Sequence, residues 1–313
     1  MRLFTRVALT ILIPILAACA GSGIPGQATF SATKEPPPHT FSTTKEPPHV
    51  ETLERQLLVD GNAFRIKGVG YSPVPIGTDP EVSPPNGDYY TANYKEVYQR
   101  DIPLLRKMGA NTIRLWGWNN SADHTDFLDE AYNQGANPIY VIVSYWIGGG
   151  QDLSDPSTRN RLISDFRNMV ALNKNHPAVL MWMIGNELNA PWMYGNAEDL
   201  FTLINEMAKA AHEEEGPGYH PVTTPLADVN LLTTIELRDA LMPDLDVWSV
   251  QIYRGKSFGD FFQKYQAVSH KPLLVSEYGI DAYDDVHGDE YENMGEAQQA
   301  VYAEALWKEI EAC

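Results

Sequence analysis

Cysteine and basic residues are scarce in this chain of 313 residues. The two cysteines, Cys19 and Cys313, lie near opposite ends of the sequence, which excludes a disulfide scaffold and a cysteine-based metal site. Lysine and arginine together number 23 against 41 acidic residues, so the formal net charge is −18. Because such a chain offers no basic field for phosphates, the charge disfavours a nucleic-acid-binding function.

Long hydrophobic runs are also missing. The apolar stretch at residues 7–16 is ten residues long, whereas a membrane-spanning helix needs about 20. Arg2 and Arg6 precede this stretch, and a positive start followed by a short apolar run is typical of an export signal. The chain is therefore expected to be exported rather than to span a membrane.

The export signal runs into Leu16-Ala17-Ala18-Cys19, which resembles the lipobox of bacterial lipoproteins. The resemblance implies removal of residues 1–18 and acylation of Cys19, so that the lipid is the only contact with a membrane. Ala20 follows the cysteine, a pattern that implies anchoring at the outer membrane, on its periplasmic face or at the cell surface. An ordinary secretory signal with an incidental cysteine is the alternative.

Residues 19–50 are expected to be the lipidated cysteine and a tether. The segment contains an imperfect duplication, FSATKEPPPHT at 30–40 and FSTTKEPPHV at 41–50. Proline, threonine and serine with few large apolar residues cannot bury enough surface to fold, so the segment should be extended. The folded domain is accordingly assigned to residues 51–313.

The folded region alternates between short apolar runs and helical patterns. It starts with a small hairpin, 57–59 and 64–66, around an Asp60-Gly61 turn. The seven strands predicted after the hairpin are 67–71, 112–116, 139–145, 179–184, 222–226, 247–252 and 273–276. The helices predicted after them are 94–108, 125–134, 157–173, 198–214, 230–241, 258–268 and 296–311. Continuous apolar strands alternating with helices are typical of a parallel α/β fold.

A (β/α)8 barrel, or TIM barrel, fits this pattern better than an open doubly wound sheet. An open sheet of that kind would carry a glycine-rich phosphate turn after an early strand, but the first turn here reads GVGYSP at 68–73. No eighth strand remains after the helix at 296–311. The sequence therefore predicts a barrel truncated after its seventh βα unit.

Aromatic residues follow several of the predicted strands. In a TIM barrel the loops after the strands share the face that carries the active site. Aromatic rings at such a rim suit sugar rings, which stack their C–H faces on them. The residues predicted to contact a sugar in this way are Tyr71, Trp116, Trp118, Trp146 and Trp192. The other three tryptophans, Trp182, Trp248 and Trp307, are predicted to be core residues.

Two glutamates end apolar strands. Glu187 follows the fourth barrel strand in WMIGNE, and Glu277 ends the seventh in LLVSEYG. A carboxylate in such a place is costly unless it is hydrogen-bonded or employed in chemistry. Strands four and seven face each other across the mouth of a closed barrel. Most glycoside hydrolases use two carboxyl groups placed in this way. A separation of about 5 Å between the two groups indicates retention of configuration.

The motifs around these glutamates resemble the retaining glycoside hydrolases of clan A. The resemblance rests on KNHPAVLMWMIGNELN at 174–189 with SEYG at 276–279, and it extends from GVGYSP to SEYG. HPAVLMWMIGNE resembles the barrel of family 2 β-glycosidases. The stretch at 98–135, which contains NTIRLW and SADHTD, resembles the β-1,3-glucanosyltransferases of family 72 equally well.

The resemblance implies a role for each matching residue. Glu187 would be the general acid/base and Glu277 the nucleophile. Asn186 would hydrogen-bond the sugar 2-hydroxyl, Arg114 would lie beside Glu277 and help keep it ionised, and Tyr253 would donate its hydroxyl to Glu277. A structural ion pair is the alternative for Arg114, and a packing role is the alternative for Tyr253.

Two further motifs have more than one interpretation. Asp123 and His124 resemble the Asp-His pair of the family 72 sequences, although Asp123 also fits a helix N-cap. The acidic run at 281–292 fits a solvated loop, with a calcium site as the alternative. Neither a metal nor a cofactor is expected.

The sequence therefore indicates a retaining β-glycosidase that acts on a β-linked glucan or a related polysaccharide. A transglycosylase with the same residues is the alternative within the enzyme class. A non-catalytic carbohydrate-binding lipoprotein is the alternative from another class, although binding alone would not need a matched pair of carboxylates.

The first prediction tests the lipid anchor. Replacement Cys19→Ala removes the acylated sulfur, so the variant should appear in the soluble fraction or remain unprocessed, whereas the parent sediments with membranes. Cell fractionation with immunoblotting measures the distribution. Equal membrane association of variant and parent would contradict the lipoprotein assignment.

Overall fold

A computed structural model of the protein describes residues 47–312, apart from 80–83, 85–86, 192, 194–195, 219, 285–288 and 291–294. Cys19, the predicted signal and most of the predicted tether lie outside the described residues, and so does Trp192.

The described chain begins with a three-stranded antiparallel sheet. Its strands are β1 (Val50–Leu53), β2 (Gln56–Val59) and β3 (Asn62–Ala63). The predicted Asp60-Gly61 turn joins β2 to β3 with positive φ at both residues, as a tight hairpin turn requires. The sequence did not predict β1, because its residues border the proline-rich segment and show too little apolar character. Val50 nevertheless pairs with Val59, and both are buried.

Seven parallel strands form the main sheet. They are β4 (Gly68–Gly70), β5 (Thr112–Arg114), β6 (Tyr140–Tyr145), β7 (Val179–Ile184), β8 (Val222–Ala227), β9 (Val247–Ile252) and β10 (Leu273–Tyr278). Each strand hydrogen-bonds to the next one along the chain, in the order β4 to β10. The sheet curls into a nearly closed barrel, which confirms the predicted TIM-barrel class. β10 extends two residues beyond the predicted end, so Glu277 lies inside the strand rather than at its tip.

Helices connect the strands. They are α1 (Lys95–Met108), α2 (Thr125–Tyr132), α3 (Pro156–Asn173), α4 (Ala197–Glu215), α5 (Leu231–Arg238), α6 (Phe261–Val268) and, after β10, α7 (Gly295–Ala312). A short pair, β11 (Tyr283–Asp284) and β12 (Asp289–Glu290), lies between β10 and α7. α2 and α5 are shorter than predicted because each continues as a 3-10 turn, at Asn133–Gly135 and Asp239–Leu241. No described helix is long and apolar enough to cross a membrane.

Local sequence explains where α3 and α4 begin and where α1 ends. Asp155 accepts a hydrogen bond from the backbone N of Thr158, and Pro156 occupies the first turn of α3, where a missing N–H costs nothing. Asn196 caps α4 in the same way through the backbone N of Glu198. α1 ends at Gly109, whose φ of 95° favours glycine.

Apolar residues fill two layers. The larger layer lies between the outer faces of the strands and the helices, and Trp182 and Trp248 are fully buried, as predicted. The smaller layer lies inside the barrel, where Met181, Val247 and Leu274 pack against Val50 and Val59 of the N-terminal sheet. Because these barrel residues belong to the first halves of their strands, the N-terminal sheet closes the amino end of the barrel. The carboxyl end is left for the site.

The barrel is not closed between its first and last strands. Within the described residues, no strand hydrogen-bonds to the outer edge of β4 or of β10. A cavity of about 910 Å³ lies there, lined by both edges, by Phe64 and by Trp307 and Ile310 of α7, and it reaches Arg114 and Glu277. The predicted core position of Trp307 is therefore wrong, because this side chain borders the cavity and is only partly buried.

The second prediction concerns this gap. Amide hydrogens of β7, which is paired on both sides, should exchange at least about tenfold more slowly than those of β4 and β10, because an unpaired edge exposes its N–H groups. Hydrogen–deuterium exchange followed by mass spectrometry measures the rates, with β8 as the doubly paired control. Equal protection of β10 and β7 would contradict the open edge.

Candidate active site

The two glutamates singled out in the sequence lie at the carboxyl end of the barrel. β7 ends at Ile184, and Gly185 (φ 67°) turns the chain so that Asn186 and Glu187 follow at once. A Cβ on residue 185 would collide with the side chain of Leu188, so the turn requires glycine. Glu187 itself has a φ of 49°, a left-handed conformation that is uncommon for residues other than glycine and is often retained at functional sites. Its backbone N donates to the carbonyl O of Pro225 in β8 at 3.0 Å, which holds the turn.

Arg114, at the end of β5, organises the site. The residue is 4% exposed, and each of its three guanidinium nitrogens has an acceptor. Nη1 donates to Glu277 Oε1, Nη2 donates to Asn186 Oδ1 at 2.6 Å, and Nε faces the sulfur of Met183 at 3.1 Å. The guanidinium also lies over the ring of Trp116, 4.4 Å from its centroid. A buried cation thus links β5 to both the Asn-Glu turn and β10.

Glu277 is surrounded by hydrogen-bond donors. In addition to Arg114, the amide Nε2 of Gln251 donates to Oε1 at 2.6 Å, and the hydroxyl of Tyr253 donates to Oε2 at 2.7 Å. Three donors, one of them cationic, stabilise the ionised carboxylate. Glu277 Oε1 accepts two of these hydrogen bonds and Oε2 accepts one. Among the described residues, Oε2 is therefore the oxygen that keeps a lone pair without a donor.

Glu187 has a different environment. Its burial raises the pKa of its carboxyl group, and the negative charge of Glu277 raises it further, while the charge of Arg114 acts in the opposite direction. The pair therefore divides into one carboxylate stabilised by donors and one carboxyl group that holds its proton to higher pH. A hydrogen-bonded carboxylate beside a carboxyl group with a raised pKa is the usual arrangement of a nucleophile and an acid.

Tyr253, which follows β9, is 40% exposed, and its hydroxyl points at Glu277. Partial burial raises the pKa of the phenol, and so does the adjacent negative charge of Glu277. The hydroxyl therefore keeps its proton and acts as a donor at neutral pH.

Gln251 of β9 was not predicted as a site residue. It is 1% exposed and donates through Nε2 to both Asn186 Oδ1, at 2.7 Å, and Glu277 Oε1. The available signal was the alternation in VWSVQIY, which places Gln251 on the same face of β9 as Val247, inside the barrel. A glutamine in a buried strand position needs partners, but the sequence does not identify them.

The aromatic residues predicted to contact a sugar divide into two groups. Trp146 is 37% exposed and Trp116 is half-buried against Arg114, so both can offer a ring face. Trp118 and Tyr71 are only 3% and 7% exposed, so they present little surface to a sugar. Trp118 stacks on His124 at 3.7 Å between ring centroids, and the hydroxyl of Tyr71 donates to Asp101. Trp192, the fifth, lies outside the described residues.

The loop after β5 is tied down by a buried pair. His124 Nε2 lies 2.8 Å from Asp88 Oδ2, and both residues are less than 5% exposed. Asp88 also accepts from the backbone N of Asn119, so the loop folds inward and carries Trp118 with it. Asp123 accepts from the backbone N and the hydroxyl of Thr125 at the start of α2, so its contacts are those of a helix-start residue.

The acidic run after β10 is described only in part. Asp285 and Glu292 lie outside the described residues. Among the residues that the structure does describe, no cluster of three or more histidine, cysteine or acidic side chains is close enough to hold a metal ion.

A seven-stranded parallel barrel with two glutamates at its carboxyl end is the arrangement found in TIM-barrel glycoside hydrolases. Residues 91–311 match the family model described as glycosyl hydrolases family 2, TIM barrel domain. The chain belongs to this family.

The individual relatives are distant. A β-glucuronidase of Sus scrofa is 24% identical over 257 residues, which cover 77% of this chain and 34% of that enzyme. A 1,3-beta-glucanosyltransferase of Candida albicans is 34% identical over 83 residues, 26% of this chain and 16% of that protein. The crystal structure of a Bacteroides uniformis β-glucuronidase superposes with a TM-score of 0.59 at 20% identity, over 80% of this chain and 29% of that one. The chain thus spans about a third of the length of the β-glucuronidase that it matches.

The third prediction follows from the pKa of Glu187. Below the pKa of an unfolded glutamate, about 4.3, residue 187 is neutral in both states. As pH rises, the unfolded carboxyl ionises first, so the parent loses stability until the pH passes the higher folded-state pKa. Glu187→Gln stays neutral and should be more stable than the parent at pH 7, by about 0.5–2 kcal/mol, with the gain vanishing near pH 4.

Urea unfolding at several pH values measures this difference. The matched control is Glu236→Gln on the exposed surface of α5, which should show no pH-dependent gain. A loss of stability at pH 7, or a gain that is independent of pH, would contradict the electrostatic account of Glu187.

Proposed function

We propose that the chain is the catalytic barrel of a retaining β-glycosidase, with Glu277 as nucleophile and Glu187 as general acid/base. The observation that carries this proposal is the contrast between the two carboxyl groups, one stabilised by three donors and the other with a raised pKa. Family membership supports the reaction class. A non-catalytic binding protein would not need this contrast.

In the first half-reaction a carboxylate oxygen of Glu277 attacks the anomeric carbon, and the bond to the leaving oxygen breaks. Oε2 is the oxygen with the free lone pair, because Oε1 is occupied by Arg114 and Gln251. Glu187 gives its proton to the departing oxygen. Its raised pKa keeps that proton available at a pH where an ordinary glutamate would have lost it.

In the second half-reaction Glu187, now ionised, takes a proton from a water molecule that attacks the glycosyl-enzyme. The bond to Glu277 breaks and the carboxylate is restored, so two inversions give net retention. Asn186 supports both steps through its side chain. Its Oδ1 already accepts from Arg114 and Gln251, so its Nδ2 is the group that remains to face the sugar 2-hydroxyl.

For the substrate we propose a β-linked glucan or a related polysaccharide. Trp146 and Trp116 offer ring faces near the mouth, and stacking on such rings suits neutral sugar units. The relatives named β-glucuronidase and 1,3-beta-glucanosyltransferase share a β-glycosidic bond as their target. Export and anchoring through Cys19 would bring the barrel to polysaccharides outside the cytoplasm, and this location remains part of the proposal.

Transglycosylation is a second candidate, favoured by the segment that is 34% identical to the Candida albicans protein. It uses the same first half-reaction, and a sugar hydroxyl replaces water in the second. Incubation with β-glucans, β-mannan and aryl β-glycosides, followed by mass analysis, separates the two. Products longer than the substrate indicate transfer, and shorter products alone indicate hydrolysis.

The fourth prediction tests the division of roles. Glu187→Ala should lose about 10²- to 10⁴-fold in rate on a glycan, because a poor leaving group needs the acid, yet it should still be glycosylated by an aryl glycoside with a good leaving group. Azide should then restore its turnover and give a β-glycosyl azide, since azide attacks from the face where the carboxyl group is missing. Product configuration is read by NMR.

Glu277→Ala should fail on both substrates, because no covalent intermediate can form. Any product that azide gives with this variant should be the α-glycosyl azide. Parent-like activity of Glu277→Ala on the aryl glycoside would show that Glu277 is not the nucleophile. This result would contradict the proposed double displacement through Glu277.

A further inference from the structure

Gln251 lies at the centre of the site, but it neither attacks the sugar nor transfers a proton in the reaction as proposed above. It is buried inside the barrel on β9, and its amide contacts both Asn186 and Glu277. The strand neighbour on the same interior face is Ser249, which is equally buried and whose hydroxyl has no hydrogen-bond partner among the described residues. Gln251 and Ser249 are therefore equally buried, and they differ in their hydrogen-bond partners.

The chemistry of Arg114 determines the orientation of the Gln251 amide. A guanidinium has donors only, so the Asn186 atom that faces it must be the amide oxygen. The Gln251 group that faces both this oxygen and Glu277 Oε1 must then be the NH2 group, because an oxygen there would meet two acceptors. Both hydrogens of Nε2 are used. Gln251 Oε1 has no partner among the described residues, which is the cost of this single orientation.

We propose that Gln251 is a positioning residue for the reaction. By donating to Asn186 Oδ1 it holds that amide with Nδ2 towards the 2-hydroxyl of the sugar. By donating to Glu277 Oε1 it turns the other carboxylate oxygen towards the anomeric carbon. The inference rests on the proposed function, since both of its consequences concern a bound sugar.

A neutral side chain with two donors suits this place. A second cation beside Arg114 would add a buried charge without a partner, and a carboxylate would repel Glu277. An apolar side chain would leave Asn186 held by Arg114 alone, free to rotate about its remaining hydrogen bond.

The test uses Gln251→Met, which keeps the length of the side chain and removes both donors. Ser249→Ala is the matched control, because it changes a buried residue on the same face of β9 outside the catalytic contacts. The parent is first tested on 4-nitrophenyl β-glycosides of gluco, galacto, manno and glucurono configuration. The two probes are the compound that it cleaves best and the 2-deoxy analogue of that compound. The quantity compared between variants is the ratio of kcat/KM for the two probes. The two probes differ in intrinsic reactivity, but this difference is the same for every variant and therefore cancels in the comparison.

The parent should prefer the 2-hydroxy probe by about 100-fold or more, since hydrogen bonds to this hydroxyl strengthen in the transition state. Gln251→Met should reduce this preference to about tenfold or less, mainly through kcat on the 2-hydroxy probe, while Ser249→Ala keeps the parent ratio. Gln251→Glu should lower kcat further than Gln251→Met, because it places a carboxylate against two acceptors.

Thermal unfolding of each variant shows whether the fold is retained, and Gln251→Glu provides the comparison if Gln251→Met does not fold. A Gln251→Met enzyme that keeps the parent ratio, or loses activity equally on both probes, would overturn the positioning role and leave the proposed function intact. A parent that cleaves none of the probes and none of the polysaccharides would overturn the proposed function, and this inference with it.

Discussion

The buried guanidinium of Arg114 is the interaction on which the site depends. A cation that is 4% exposed must find partners inside the protein, because an unpaired charge there costs several kcal/mol. Arg114 finds them on β10, in Glu277, and after β7, in Asn186. These hydrogen bonds cross the interior of the barrel, so they relate the carboxyl ends of strands that are not neighbours in the sheet. The positions of Glu277 and Asn186 thus follow from one requirement, the neutralisation of a buried charge.

The same requirement separates the two glutamates chemically. Arg114 donates directly to Glu277, and Gln251 and Tyr253 add neutral donors to the same carboxylate. Glu187 receives only the more distant influence of that cation, and both burial and the charge of Glu277 act against its ionisation. Two residues of one type thereby acquire different environments, one rich in hydrogen-bond donors and one in which the pKa is raised.

The two ends of the barrel serve different purposes. The N-terminal sheet packs Val50 and Val59 into the amino end, which leaves the carboxyl end for polar chemistry. The gap between β4 and β10 reaches up to Arg114 and Glu277, so the side of the site nearest β10 has the least support from a neighbouring strand. The hydrogen bonds from Arg114 and Gln251 to Glu277 therefore hold β10 in the barrel as well as holding the carboxylate in the site.

The sequence by itself determined the parallel order of strands and helices, because each strand is an apolar run of its own and each intervening segment has a helical pattern. It also indicated Glu187 and Glu277, since a carboxylate at the end of a buried strand needs a physical reason, and the family resemblance added Arg114. Only the tertiary structure decided that Trp118 is buried, because this depends on the pairing of His124 with Asp88, which is remote in sequence. Only the tertiary structure disclosed Gln251, whose partners lie 65 and 26 residues away along the chain. Periodicity predicts which way a side chain faces, whereas the partner that it meets depends on how distant strands close around the same space.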